Sequence, residues 1–157
     1  MVKLTLAIAK QLLAAAEQKA RELGLSCDIA IVDEGANLIA FHRMDNARIA
    51  DIEVSMGKAW TSAALQMPTD NLARIAQPGG DAYGINTTHQ GKITILGGGI
   101  PFAAEGKTAG GIGVSGGTGS QDIEVANAAV QAFVSIQQAG AVAFVSARIG
   151  SNDSFRI

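Results

Sequence analysis

Two histidines, one cysteine and a few charged groups set inside apolar patterns are the residues with which this chain could do chemistry. His89 stands in a segment from Gln77 to Gln90 that is rich in Gly, Pro, Asn and Thr. A loop of that length is long for a compact domain and is often functional. Its imidazole is either a solvated loop side chain or, if presented to a large flat cofactor, an axial ligand to iron. His42 shares a strand face with Leu38, Ala40 and Met44, which reads as a partly buried, hydrogen-bonded histidine. Neither histidine has a metal-binding spacing such as His-x-x-x-His, and Cys27 has no ligating neighbour, so no structural zinc site is expected.

Charged groups inside patterned elements are the second candidates. Arg43 and Asp45 close a strand, and Lys58 lies in a small-residue helix near Trp60. One reading is an ion pair that links these segments. The other is an Arg and Lys pair gripping the carboxylates of a ligand between subunits. The backbone N–H groups from Gly116 to Gln121, with Ser115 before them and Asp122 after, form a candidate anion site at a helix start.

Three motif matches fail on context. Gly111-Ile112-Gly113-Val114-Ser115-Gly116 fits the dinucleotide pattern, but the acid-tipped parallel strand expected about 20 residues on would fall inside a helix. No nucleotide cofactor is expected, and the glycines instead let a neighbouring backbone approach the strand. Glu105-Gly106-Lys107-Thr108 ends like a phosphate loop, yet Pro101 occupies the first glycine position and a strand follows. Ser115 sits in a Gly-x-Ser-x-Gly match, but both histidines precede it, against the chain order of that hydrolase class.

The elements that must position these residues follow from periodicity. Ile8, Leu12, Ala16, Ala20 and Leu23 recur at three and four, predicting a helix from Thr5 to Leu23 closed by Gly24. Cys27 to Val32, the turn Asp33 to Asn37 and the run Leu38 to Met44 predict an antiparallel hairpin. Ile49, Ile52, Met56, Trp60 and Ala63 stripe a second helix, Ile49 to Gln66, that stops before Pro68, and Thr69 has the look of an N-cap for one more helical turn. Lys92 to Leu96, Ile100 to Ala103 and Lys107 to Ser115 are three strand candidates with glycine-containing breaks between them. A last helix opens at Gly119 behind a Thr118/Gln121 capping box, turns Ile123, Ala126, Val130 and Phe133 inward and ends near Ala139, with Gly140 as its stop.

The order α-β-β-α-β-β-β-α leaves the strands only one internal helical crossover. The expectation is therefore an α+β domain with a five-stranded, mostly antiparallel sheet and helices on one face. Residues 1–140 make a single domain, and residues 141–157 a tail frayed toward Gly150 to Ser154.

Composition narrows the function classes. A hydrophobic share of 48% with only 4% aromatic means that small residues dominate, which predicts close packing between elements. Net charge −2 without a basic stripe argues against nucleic-acid binding. A lone cysteine, an amphipathic start and no run of about 18 apolar residues set the expectation of a cytoplasmic protein with no membrane partner. Mean hydropathy of +0.23 at 17% charged residues favours a homo-oligomer, dimer or higher.

Asp33-Glu34-Gly35-Ala36-Asn37-Leu38, Arg43-Met44-Asp45-Asn46-Ala47, Lys58-Ala59-Trp60-Thr61, Gly98-Gly99-Ile100-Pro101 and Gly110 to Gly116 followed by Gln121-Asp122 stand in one order. This series resembles the haem-binding GlcG/HbpS-like family, whose relatives include the C-terminal domain of PduO and small proteins of glycolate, propanediol and glycerol operons. The resemblance implies a profilin-like fold, assembly into homo-oligomers and binding of haem or a related tetrapyrrole, with little or no catalysis. In this chain that would place propionates on Arg43 or Lys58 and iron on His89 or His42. With Trp60, Tyr83 and five Phe as the aromatic complement, such a haem would lie at a subunit surface. The alternative is an accessory protein or enzyme of small oxygenated carbon metabolism, taking an anionic metabolite at Gly116 to Asp122. A structural oligomer subunit without ligand is the third.

Overall fold

Thr5 opens the chain's first helix, its hydroxyl accepting the Ile8 N–H at 3.2 Å, and α1 runs Leu6–Glu22 before Gly24 turns the chain at φ +70°. The computed structural model describes residues 3–152, with side chains to Arg148. Strands β1 (Asp28–Asp33) and β2 (Leu38–Arg43) form the expected hairpin, its turn tied by the Asp33 carboxylate accepting the Gly35 and Asn37 N–H groups. After α2 (Ala50–Leu65) and α3 (Thr69–Ile75) come two short 3₁₀ turns, Ile85–Thr87 and His89–Gly91. Strands β3 (Gly99–Ala104) and β4 (Lys107–Ser115) and helix α4 (Gly119–Asn152) complete the order.

The sheet has four strands in the order β2-β1-β4-β3, every pair antiparallel. The α+β class therefore holds, and the five-stranded, profilin-like arrangement does not. The expected strand Lys92 to Leu96 is the one missing. Its segment lies along α2 instead, where the Thr61 hydroxyl accepts the Thr94 N–H at 2.9 Å. A side chain thus takes a backbone donor that a neighbouring strand would have taken. Thr69 likewise does not cap α3; its hydroxyl donates to the Leu96 carbonyl at 2.6 Å and accepts the Gly99 N–H at 2.9 Å, fixing the entry to β3.

Helices cover both faces of the sheet rather than one. Ile29, Ile31, Ile112 and Val114 face α1 and α4 in the main core with Leu12, Leu13, Val125 and Phe133. Ala30 and Val32 face Ala59 and Ala63 of α2 on the other side. Contact there is close because β4 carries glycines: a Cβ on Gly113 would stand 1.9 Å from the Ser55 carbonyl oxygen, and one on Gly111 2.5 Å from the Ser62 hydroxyl. So near a strand, large side chains have no room. Of the predicted inward stripe of α2, Ala63 is buried as expected, but Ile49 is 74% exposed and Ile52, Met56 and Trp60 are half-buried on the outward side, while Asp51, Ser55, Lys58, Ala59 and Ser62 are buried. Ser55 and Ser62 satisfy their hydroxyls on carbonyls of their own helix, at 2.9 Å each.

Helix α4 begins behind the expected capping box, with Thr118 and Gln121 bonded reciprocally. It runs through Gly140, which is not among the glycines of positive φ, so the expected stop is absent. One interior glycine costs a helix about 1 kcal/mol, too little to end it among alanines and valines. The expected fraying at Gly150 to Ser154 falls partly outside the described residues.

Candidate functional site

Four of the residues singled out from sequence meet under α2. Lys58, 2% exposed, donates from Nζ to Asp122 Oδ2 at 3.0 Å and to the Val114 carbonyl at 2.7 Å. Asp122 accepts the Gly117 N–H through its other oxygen at 2.8 Å, beside Gly116. Ser115 donates to Asp51 Oδ1 at 2.9 Å, and Arg48 reaches Asp51 Oδ2 at 2.7 Å. Lys58 thus forms a linking ion pair, with Asp122 as its partner, and cannot grip an outside carboxylate. At the α4 start, Asp122 takes the Gly117 N–H and Gln121 the Thr118 N–H, two of the donors an anion would need. Ser115 donates to the Asp51 carboxylate rather than to an imidazole, the base that a Gly-x-Ser-x-Gly hydrolase uses. Cys27 is buried in the main core on the other face of the sheet, and burial, then the charges of Asp122 and Asp28, push its thiol up to about 12.

His42, Arg43 and Asp45 are brought together at the end of β2. They line a cleft of about 450 Å³ with Glu17, Arg21, Phe41 and Met44. His42 is exposed rather than half-buried, and its Nδ1 pairs with the Glu17 carboxylate of α1. Arg43 donates from Nε and Nη2 to the Ala47 carbonyl at 3.2 and 2.9 Å, which anchors the link from β2 toward α2. This cleft is polar and charged along most of its wall.

His89 stands elsewhere, at a larger cleft of about 680 Å³ between the outward stripe of α2, the β1–β2 turn and the segment 89–94. Met56 and Trp60 line it from the helix, Val32 and Leu38 from the hairpin. The His89 ring lies 5.7 Å from the Trp60 ring, and Lys92 Nζ stands 4.6 Å over it. His89 and Gln90 both hold positive φ, +51° and +56°, ahead of Gly91 at +79°. Non-glycine residues in that region cost about 1–3 kcal/mol each and cluster at binding sites. The Thr88 hydroxyl lies 2.9 Å from His89 Nδ1, which leaves Nε2 as the ring nitrogen available to a ligand. The arrangement is a mixed wall, aromatic and aliphatic at Trp60, Met56, Val32 and Leu38 and polar at Glu53, Asn37, His89 and Lys92, in the size range of small-molecule sites.

The description "Haem degrading protein HbpS-like" matches residues 4–131 of this chain. The chain belongs to the HbpS-like family. A 15.0 kDa protein from the dhaT-dhaS intergenic region of Citrobacter freundii is 39% identical over 130 residues, spanning 83% of this chain and 92% of that one. Among solved structures, protein ORFY of Klebsiella pneumoniae superposes with a TM-score of 0.82 at 38% identity, covering 85% of this chain and 93% of its own. The PduOC–haem complex gives 0.80 at 34%, covering 83% and 95%. Within this HbpS-like chain, sequence reasoning found His89 but not its setting. Met56 and Trp60 read as core by period, Lys92 as strand, and Asp28 and Asp51 not at all. The signal for the last two was a charged residue on the inward side of a strand or helix whose neighbours are small.

Proposed function

We propose that this chain binds haem in the Trp60 cleft, with His89 Nε2 as the protein's iron ligand and Lys92 as the cation facing a propionate. The observation that carries the reading is the strained His89–Gln90–Gly91 turn, which holds an imidazole beside the only tryptophan at the edge of a cleft with an apolar stretch at Met56, Trp60 and Leu38. The PduOC–haem complex supports the choice of ligand. Bound there, haem would supply iron redox and ligand-binding chemistry; the chain's own residues bind, orient and shield. Met56, Trp60 and Leu38 offer the apolar wall, the Thr88 hydroxyl orients the ring through Nδ1, and Lys92 neutralises a carboxylate. Neither Lys58, which is buried, nor Arg43, which is committed to Ala47, serves the propionates. His42 faces a charged wall and is bound to Glu17.

Titration of the chain with haemin is expected to give a saturable shift of the Soret band at micromolar concentration. His89→Ala should change the ligation spectrum and weaken binding at least about tenfold, the loss of roughly 1.4 kcal/mol. No saturable shift overturns the proposal, and an unchanged spectrum in His89→Ala overturns the assigned ligand. We also propose that the chain works as a homo-oligomer. Leu38 at the cleft and Ile49 before α2 are exposed, as are Val142, Phe144 and Val145 on distal α4, and light scattering behind gel filtration checks it.

A further inference from the structure

Among the described residues, two buried side-chain polar atoms lack any hydrogen-bond partner, and both belong to Asp28. The residue is 0% exposed, on the sheet face toward α2. Its cross-strand partners are Arg43 on β2 and Ser115 on β4, and Asp51, which Arg48 bonds, faces it from the start of α2. Each of these groups is spent elsewhere. Arg43 donates to the Ala47 carbonyl, Ser115 and Arg48 donate to Asp51, and Lys58 beyond them is paired with Asp122. Cys27, the residue just before β1, packs in the opposite core. A carboxyl group taken out of water with no donor to solvate an anion is held more cheaply as the neutral acid. Burial and the nearby Asp51 charge act in that direction, and Arg43 acts against it.

The other half of the device is the start of α2. Its N-cap, Ile49, makes no side-chain cap bond, so the first turn depends on the Asp51 contacts for its seat. That helix also carries Glu53, Met56 and Trp60 to the cleft. We propose that Asp28 is a proton-holding group coupled to the Trp60 cleft. The folded chain keeps it as the neutral acid where exposed aspartates are ionised, and release of that proton sets two carboxylate charges against each other under the first turn of α2. The turn then shifts, and the cleft wall with it. This goes beyond the haem reading, and its test needs no haem.

The test uses the whole chain with ¹³C-labelled aspartate carboxyls, the Asp28 resonance being assigned by its loss in Asp28→Asn. In parallel, emission of Trp60 is followed over about pH 4–8 in a His89→Gln background, which removes the titration of the neighbouring ring. The expected Asp28 midpoint lies above that of exposed aspartates. Trp60 emission should step at the same midpoint, and the step should vanish in Asp28→Asn. Asp51→Asn should move both midpoints down, which keeps the test available if Asp28→Asn does not fold. An Asp28 midpoint in the ordinary aspartate range overturns the proposal. A Trp60 step that is missing, or that survives in Asp28→Asn, overturns the coupling to the cleft.

Discussion

Lys58 shows how a residue's role turns on its surroundings. In sequence it is a cation in a small-residue helix; in the fold its ammonium is buried against Asp122 and the Val114 carbonyl. Removing one member of such a pair strands the other charge, so Lys58→Ala should cost about 3–5 kcal/mol in urea unfolding. A double-mutant cycle with Asp122→Asn should show strong non-additivity. Asp28 sets a pH dependence whose sign follows from its raised folded-state value. Unfolded, it titrates near the ordinary value of about 3.9. Between that value and the folded midpoint the native chain binds more protons, so this group's contribution is greatest at low pH and falls as pH rises through the folded midpoint. Urea midpoints measured from about pH 4 to 7 should lose that component of the slope in Asp28→Asn.

At the scale of elements, the glycines of β4 decide which side of α2 is buried. Gly113→Ala would drive a methyl group into the Ser55 carbonyl, so it should cost about 2–3 kcal/mol or more by chemical denaturation. Helical period was legible for α1, where Thr5, the apolar stripe and Gly24 agree with the structure. It held for α2 only in Ala63 and placed the larger Ile49, Ile52, Met56 and Trp60 too deep, because hydrophobicity marks a buried face only when the facing surface has room for large side chains. The hairpin and the β3–β4 pair were legible from alternation and turn residues. The Lys92 to Leu96 segment was not, since its backbone bonds to a side chain of a helix 31 residues or more away in sequence.

At the scale of the molecule, α4 outruns the domain. Its first half supplies Val125, Ala126, Ala129 and Phe133 to the core, whereas Val142, Phe144 and Val145 are exposed. The span Gly119–Arg148 is long and apolar enough by length and composition to cross a membrane, with 11% of its most apolar window buried. A chain ending at Gln138 keeps the Gln137 bond to Ala103 and should melt within about 2 °C of the full chain. Under the proposed assembly it should also form a smaller species by light scattering. An unchanged mass in solution would show that distal α4 takes no part in association.

By itself the sequence determined the family, the α+β class, the antiparallel pairing and the ends of most elements. Those properties rest on local period, caps and turn chemistry, which act over a few residues. It also marked His89 as a candidate through the composition of its loop. Only the tertiary structure decided the strand count, which side chains of α2 meet the sheet and the Trp60 wall, and it alone brought Asp28 beneath Asp51. Each depends on how closely one backbone can approach another, and that distance is set by glycines and serines on separate elements.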